Sequence, residues 1–194
     1  LTVSTGVGGA RIVKGKIDES SHGFEPGKQI IDVDKTLCPS CDSGSLEDYT
    51  SGTAIEKRFG KKPYEVPQSD PVWDEFAQVL AVGLKNTIVF WSPDVIVLGG
   101  SMIVGDPRIF LADIKRHTEA LLGDLMLCPP IKDATLADLG GLYGAMTLLS
   151  QYCTRKGDRK ARGVCFLWLC KAISKLLTGE GNCLVLLTIS NDVL

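Results

Sequence analysis

With 194 residues, 44% of them hydrophobic and 23% charged, the chain fits one or two soluble domains with a core of their own. Its net charge of −2 excludes a globally basic nucleic-acid binder. Seven cysteines, an odd number without framework spacing, suit a reducing compartment better than a secreted disulfide fold, so the expected location is the cytoplasm.

Leu1-Thr2-Val3 predicts a strand, Thr5-Gly6-Val7-Gly8-Gly9 a glycine turn, and Ile12-Val13 with Lys16-Ile17 further strand around Gly15. A dinucleotide fingerprint or Walker loop needs a helix straight after the glycines, and none follows. What remains is either an ordinary hairpin or one whose backbone N–H groups face an anion. Residues 20–29 read as loop, Ile30-Ile31-Asp32-Val33-Asp34 as a strand, and 38–45 as a compact loop leading into Leu46-Glu47-Asp48-Tyr49. A helix is expected from Ser51, capped by Ser51 or Thr53.

The strongest helix expectation covers 71–91, where Trp73, Phe76, Leu80, Leu84 and Ile88 recur every three or four residues. Asp70 is its expected cap, and Ser92-Pro93 its stop. Asp94 to Gly100 predicts a buried parallel strand. Asp106-Pro107 opens a further predicted helix through Leu122, with His117 as a solvated surface residue on it. A short strand is expected between Leu125 and Leu136, then a helix from Leu139 to Met146 whose small residues let a backbone or ligand approach. Strand and helix alternate after residue 70, so the class is α/β.

Several segments, in order, resemble the ROK family of sugar kinases and repressors. They are Ser4–Gly9, Gly23-Phe24-Glu25-Pro26-Gly27-Lys28, Leu46–Ala54, Pro93–Gly100 and Gly140–Ala145, together spanning residues 1–151. The resemblance implies an actin-like ATPase (RNase H-like) fold, a mixed sheet with flanking helices, incomplete at the N-terminus. It implies ATP-dependent phosphorylation of a hexose or amino-sugar hydroxyl, glucokinase-like, with ATP and Mg²⁺. Thr5, Gly6, Val7, Gly8 and Gly9 then look like a phosphate-binding hairpin, and Gly99 and Gly100 like the adenosine-side loop. Phosphoryl transfer needs mainly positioning and charge stabilisation, which such N–H donors supply. Glu25 and Glu47 fall where the family's sugar-binding glutamates stand; outside that context each reads as an exposed loop residue.

The family's zinc site, one histidine and three cysteines, is broken here. Lys28 holds the histidine position, Cys38 the first cysteine position, and Ser40 and Ser45 the other two, while Cys41 is one residue out of register. Two cysteines with His22 fall short of the four ligands a structural zinc takes, so no metal is expected. Lys28 either points to solvent or touches the sugar, where its charge would favour an acidic or phosphorylated substrate. The family's first phosphate motif and its catalytic aspartate are expected upstream of Leu1, leaving no catalytic residue assigned in this chain and the chain alone inactive.

The alternative function is a sugar-sensing repressor or a non-catalytic relative. Dimers are common in the family, so the resemblance allows a homodimer; no nucleic-acid partner and no membrane span are expected. Residues 1–151 carry 14 Lys/Arg against 20 Asp/Glu and residues 152–194 carry 7 against 3. The segment 152–194 therefore reads as a separate basic and apolar tail, either an amphipathic surface helix or an extension without function.

Overall fold

Among the described residues the longest element is a helix of 20 residues, Val72–Trp91, with an apolar stripe along one face. The computed structural model describes residues 1–18, 23–136 and 139–155. In chain order it holds β1 (Thr2–Val3), β2 (Val7–Gly8), β3 (Ile12–Val13), β4 (Lys16–Ile17), a 3-10 turn (Pro26–Lys28), α1 (Leu46–Thr50) and α2 (Gly52–Phe59). A second 3-10 turn (Pro63–Glu65) precedes α3 (Val72–Trp91), β5 (Ile96–Leu98), α4 (Ser101–Val104), α5 (Leu111–Leu122), β6 (Ile131–Asp133) and α6 (Gly140–Arg155). The chain divides into two compact units, Leu1–Val13 with Asp18–Ala137, and Lys14–Ile17 with Asp138–Leu194.

In the first unit, β1 pairs antiparallel with β2 and β5 pairs parallel with β6. The ladders join through a parallel bridge between Thr2 and Gly99. There the Val3 N–H donates to the Gly99 carbonyl at 2.8 Å and the Gly99 N–H to the Leu1 carbonyl at 3.0 Å. Val3, Val7, Ile96, Leu98 and Ile131 form one core with the stripe of α3 and with Ile114 and Leu122 of α5. Trp73, Phe76, Leu80, Leu84 and Ile88 are all buried, as their spacing predicts. Asp70 Oδ1 accepts from the Val72 N–H at 3.0 Å, and Ser92, at a φ of 44°, ends the helix.

Several expectations need correction. The glycine segment is not all turn: Ser4 to Gly6 turns, and Val7 and Gly8 already return as β2. Residues 30–34 form no strand, because Asp32 Oδ2 instead accepts from the Leu37 N–H, the Thr36 hydroxyl and the Tyr49 hydroxyl. The strand after Asp94 is buried on one face only, with Val95 and Val97 exposed on the other. The helix expected from Asp106 starts at Leu111. Before it, the Gln68 side-chain amide engages both backbone groups of Arg108, holding that stretch out of helix.

His117 is no solvated residue. Its side chain is only 16% exposed, and Nε2 lies 2.9 Å from Asp74 Oδ1 on α3.

In the second unit, α6 runs from Gly140 through residue 151 to Arg155 without a break. Where a Cβ would stand at Gly141 and Gly144 there is open space, so among the described residues no backbone approaches there. Residues 156–194, the bulk of the basic tail, lie outside the described residues, as does His22.

Candidate functional site

Glu47 is placed by the start of α1. Ser45 caps that helix, accepting from the Asp48 N–H, while the Asp48 carboxylate accepts from the Ser45 N–H at 3.2 Å. Asp48 Oδ2 also accepts from the Ser43 N–H at 3.0 Å and the Ser43 hydroxyl at 2.7 Å. Burial pushes the Asp48 carboxyl up, but these bonds from Ser43 and Ser45 outweigh it and bring its pKa to about 2. Leu46, fully buried, anchors the same turn in the core.

Lys28 ends the 3-10 turn facing it, and Glu25 immediately precedes that turn. Gln29 ties that turn down: its Nε2 donates to the Pro26 carbonyl at 2.8 Å and its Oε1 accepts from Asn86 Nδ2 of α3 at 2.9 Å. The Leu46 N–H donates to the Gln29 carbonyl at 3.0 Å. Phe24 meets Trp91 edge to face at 5.2 Å, pinning the other end of the segment to α3.

These elements bring Glu47 between two donors. Val7 N–H reaches Oε2 at 2.8 Å and Lys28 Nζ reaches Oε1 at 2.6 Å. That hydrogen bond and the Glu47 charge hold the Lys28 ammonium above its ordinary pKa. Gly6 closes against the same carboxylate, since a Cβ there would lie 2.5 Å from Glu47 Oε2. One N–H of the hairpin, that of Val7, is therefore spent on an internal carboxylate. Glu25 lies at the surface, and its carboxylate makes no hydrogen bond among the described residues.

Two cavities flank the hairpin tip. The smaller, about 220 Å³, is lined by Thr5, Lys28, Ser43, Ser45, Glu47, Asp48, Ser51 and Thr53. The larger, about 480 Å³, is lined by Ser4, Thr5, Gly52, Glu56, Lys62, Tyr64, Ser101 and Met102. Thr5 lines both. It is fixed there because its carbonyl accepts from the Thr53 N–H at 3.3 Å and the Thr53 hydroxyl at 2.8 Å.

The other expected positions are held by framework contacts. Gly8 pairs with Thr2, and Gly9 bridges Phe24. Both backbone groups of Gly99 are taken by β1. Gly100 has a φ of +91°, and a Cβ there would stand 2.3 Å from the Val3 carbonyl oxygen. The residue after the pair, Ser101, is the one that reaches the larger cavity, with its Oγ 3.0 Å from Ser4 Oγ. Sequence reasoning missed Ser101, Lys62 and Tyr64. Adjacency to Gly99-Gly100 could have found Ser101, whereas Lys62-Pro63-Tyr64 carries no motif.

The zinc of the family's loop does not fit here. Cys38 and Cys41 are joined in a disulfide, Ser45 is occupied as a helix cap, and Lys28 is a protonated donor. Among the described residues no group of three or more His, Cys, Asp or Glu could hold a metal ion. The disulfide also corrects the expectation of reduced cysteines at this pair.

The fold is that of an actin-like ATPase lobe, as its structural neighbours show. A ROK hexokinase from Thermus thermophilus superposes with a TM-score of 0.61 at 24% identity, over 74% of this chain and 55% of that one. A ROK family glucokinase from Streptomyces griseus, in complex with glucose and AMPPNP, gives 0.57 at 22% identity, over 74% and 57%. The ROK family profile matches residues 1–152, and the chain belongs to the ROK family. A fructokinase of Pediococcus pentosaceus is 30% identical over 157 residues, taking in 76% of this chain and 54% of that protein. An N-acetyl-D-glucosamine kinase of Yersinia enterocolitica is 30% identical over 174 residues, 76% of this chain and 57% of the other. The chain spans about half the length of the curated relatives it matches. Among the described residues no helix is long and apolar enough to cross a membrane.

Proposed function

We propose that this chain is the sugar-binding lobe of an ATP-dependent sugar kinase acting on a hexose or amino-sugar hydroxyl. One observation carries the reading: Thr5, at the hairpin tip, lines both a small cavity holding the Glu47 carboxylate and a larger one reaching Ser101. A donor and an acceptor of a phosphoryl group must meet at one point, and Thr5 is where the two cavities adjoin. The sugar lies in the smaller cavity against Glu47 and Lys28, with Glu25 at its rim; ATP with Mg²⁺ lies in the larger. Gly6, Val7, Gly8 and Gly9 shape the hairpin under the phosphates, and Gly99 and Gly100 set Ser101 toward the adenosine side.

The kinase relatives, and the glucokinase neighbour holding glucose and AMPPNP, support this assignment. The Lys28 charge is matched by Glu47, and the neighbouring Glu25 adds a negative charge, so an uncharged sugar suits the subsite better than an acidic one. The hydroxyl proton is taken by a base that we assign to no residue of this chain. We place the protein in the cytoplasm, where reducing conditions would open the Cys38–Cys41 disulfide, and expect a homodimer.

Titration of the ¹⁵N-labelled chain tests the reading. AMPPNP should move the amides of Thr5 and Ser101, while fructose, glucose or N-acetylglucosamine should move those around Lys28 and Glu47. Sugar shifts without nucleotide shifts would favour the repressor alternative. Absence of both would overturn the assignment.

A further inference from the structure

We infer that Lys28 is a positioning residue that sets the Glu47 carboxylate directly, in a loop built to work without metal. In this chain each Glu47 oxygen has one fixed donor, the Val7 N–H on Oε2 and the Lys28 ammonium on Oε1. A carboxylate oxygen has two acceptor sites, so one donor on each fixes the plane of the group and leaves the remaining lone pairs free for a ligand. The charged hydrogen bond from Lys28 is of the strong class. Its donor stem sits on a turn whose backbone is braced by Gln29 against both α3 and α1. The side chain of Lys28 is itself 63% exposed, so its removal takes away an anchor of Glu47 without opening the core.

The loop 38–45 is tied to α1 by this chain's own side chains. The Cys38–Cys41 disulfide closes one end of the loop. Cys41 is buried and its sulfur lies 3.6 Å from the Asp48 carbonyl oxygen. At the other end Asp48 gathers three donors from Ser43 and Ser45. Ser45 cannot both cap α1 and act as a soft ligand. A histidine-and-cysteine site has been replaced by a lysine, a disulfide and a carboxylate, each already engaged with protein.

For its kinetic consequence the inference rests on the sugar-site reading, so the deciding measurements are made on the ligand-free chain. The 194-residue chain is incubated with zinc chloride, oxidised and reduced, and dialysed, and metal is counted by mass spectrometry. In parallel the Val7 amide resonance is compared in wild type, Lys28→Met, Lys28→Gln and Lys28→Arg. Zinc should stay below about a tenth of an equivalent in both redox states. The Val7 amide should move in Lys28→Met and Lys28→Gln and return toward its wild-type position in Lys28→Arg. Zinc retained near one per chain, or a Val7 amide unmoved by the loss of Lys28, would overturn the inference. In the intact kinase, Lys28→Met should then raise the sugar KM about tenfold or more, with the ATP KM unchanged and Lys28→Arg restoring it. A wild type that neither binds nor phosphorylates sugar would sink the kinase reading while leaving the amide and metal results to decide this one.

Discussion

The α3–α5 pair and the loop from Ile30 to Ser45 are built by opposite means. In the pair, buried apolar side chains at helical spacing meet the sheet, and the backbone satisfies itself inside the helices. In the loop, two carboxylates do the organising. Asp32 collects Thr36, Leu37 and Tyr49, and Asp48 collects Ser43 and Ser45. Burial places the first region; hydrogen bonds from side chain to backbone place the second. The site hangs from the second region yet is anchored by the first, through Leu46 and Gln29.

If that contrast is real, the greatest damage should come from the helical pair. Phe76 is fully buried at the centre of the stripe and its ring faces the Arg58 guanidinium at 5.5 Å. Phe76→Ala should cost about 3–5 kcal/mol, read as a fall in the urea midpoint at unchanged slope. A loss below about 1 kcal/mol would mean that the stripe does not carry the fold.

The sheet joint between the regions should come next. Gly100→Ala puts a Cβ onto the Val3 carbonyl at a backbone conformation that side chains rarely adopt. A loss on the order of 3 kcal/mol is expected from the two effects together. Thermal melts of Gly100→Ala beside Gly123→Ala separate them. Gly123 also has a positive φ outside the left-handed helical region but open space around it, so it should lose less. Equal losses would remove the Val3 contact from the explanation.

The loop has its own sensitive point in Asp48. Its folded pKa, about 2, lies below the ordinary value of 3.8. A depressed carboxylate contributes stability that is complete above the ordinary value and is lost as pH falls through the folded one. The loop's contribution should therefore fade between about pH 4 and pH 2. Asp48→Asn should cost about 1–2 kcal/mol at neutral pH and flatten that acid limb. Amide exchange should show the loss at Ser43 and Ser45 first. If acid sensitivity is the same in the variant, Asp48 does not organise the loop.

The same contrast explains what could be read from residues alone. A stripe repeated over twenty residues announces α3, and Ser51 announces α2 because a cap acts on its immediate neighbours. The pairing of Glu47 with Val7 joins residues 40 positions apart through a backbone N–H, and a backbone donor leaves no mark in the sequence. Glu47 and Lys28 were legible as site residues only through the motif around them, and their salt bridge was not. The sequence marks Ser45 as standing at a cysteine position of the family, and its capping of α1 is visible only in the structure. Gly99 and Gly100 are expected from the sequence as the adenosine-side loop; the joining of Gly99 to Leu1 and Val3, and the cavity position of Ser101, carry no sequence signal. His117 looked solvated because its partner, Asp74, lies 43 positions away on α3.

That last pair gives the smallest expected effect and the sharpest use of the comparison. Asp74 Oδ1 lies 2.6 Å from Arg116 and 2.9 Å from His117, linking α3 to α5 by charge. The His117 hydrogen bond first, then that from Arg116, hold the Asp74 carboxyl below its ordinary value despite partial burial. By the same sign rule as for Asp48, its contribution is present above pH 3.8 and fades below it. Yet Arg116 and Asp74 are 57% and 55% exposed, so solvent screens most of the attraction. Asp74→Asn should therefore change stability by less than about 1 kcal/mol in urea melts at neutral pH, and less still in high salt. A loss above about 2 kcal/mol would make the helical pair depend on a polar clasp as the loop does. The two regions would then differ in degree and no longer in kind.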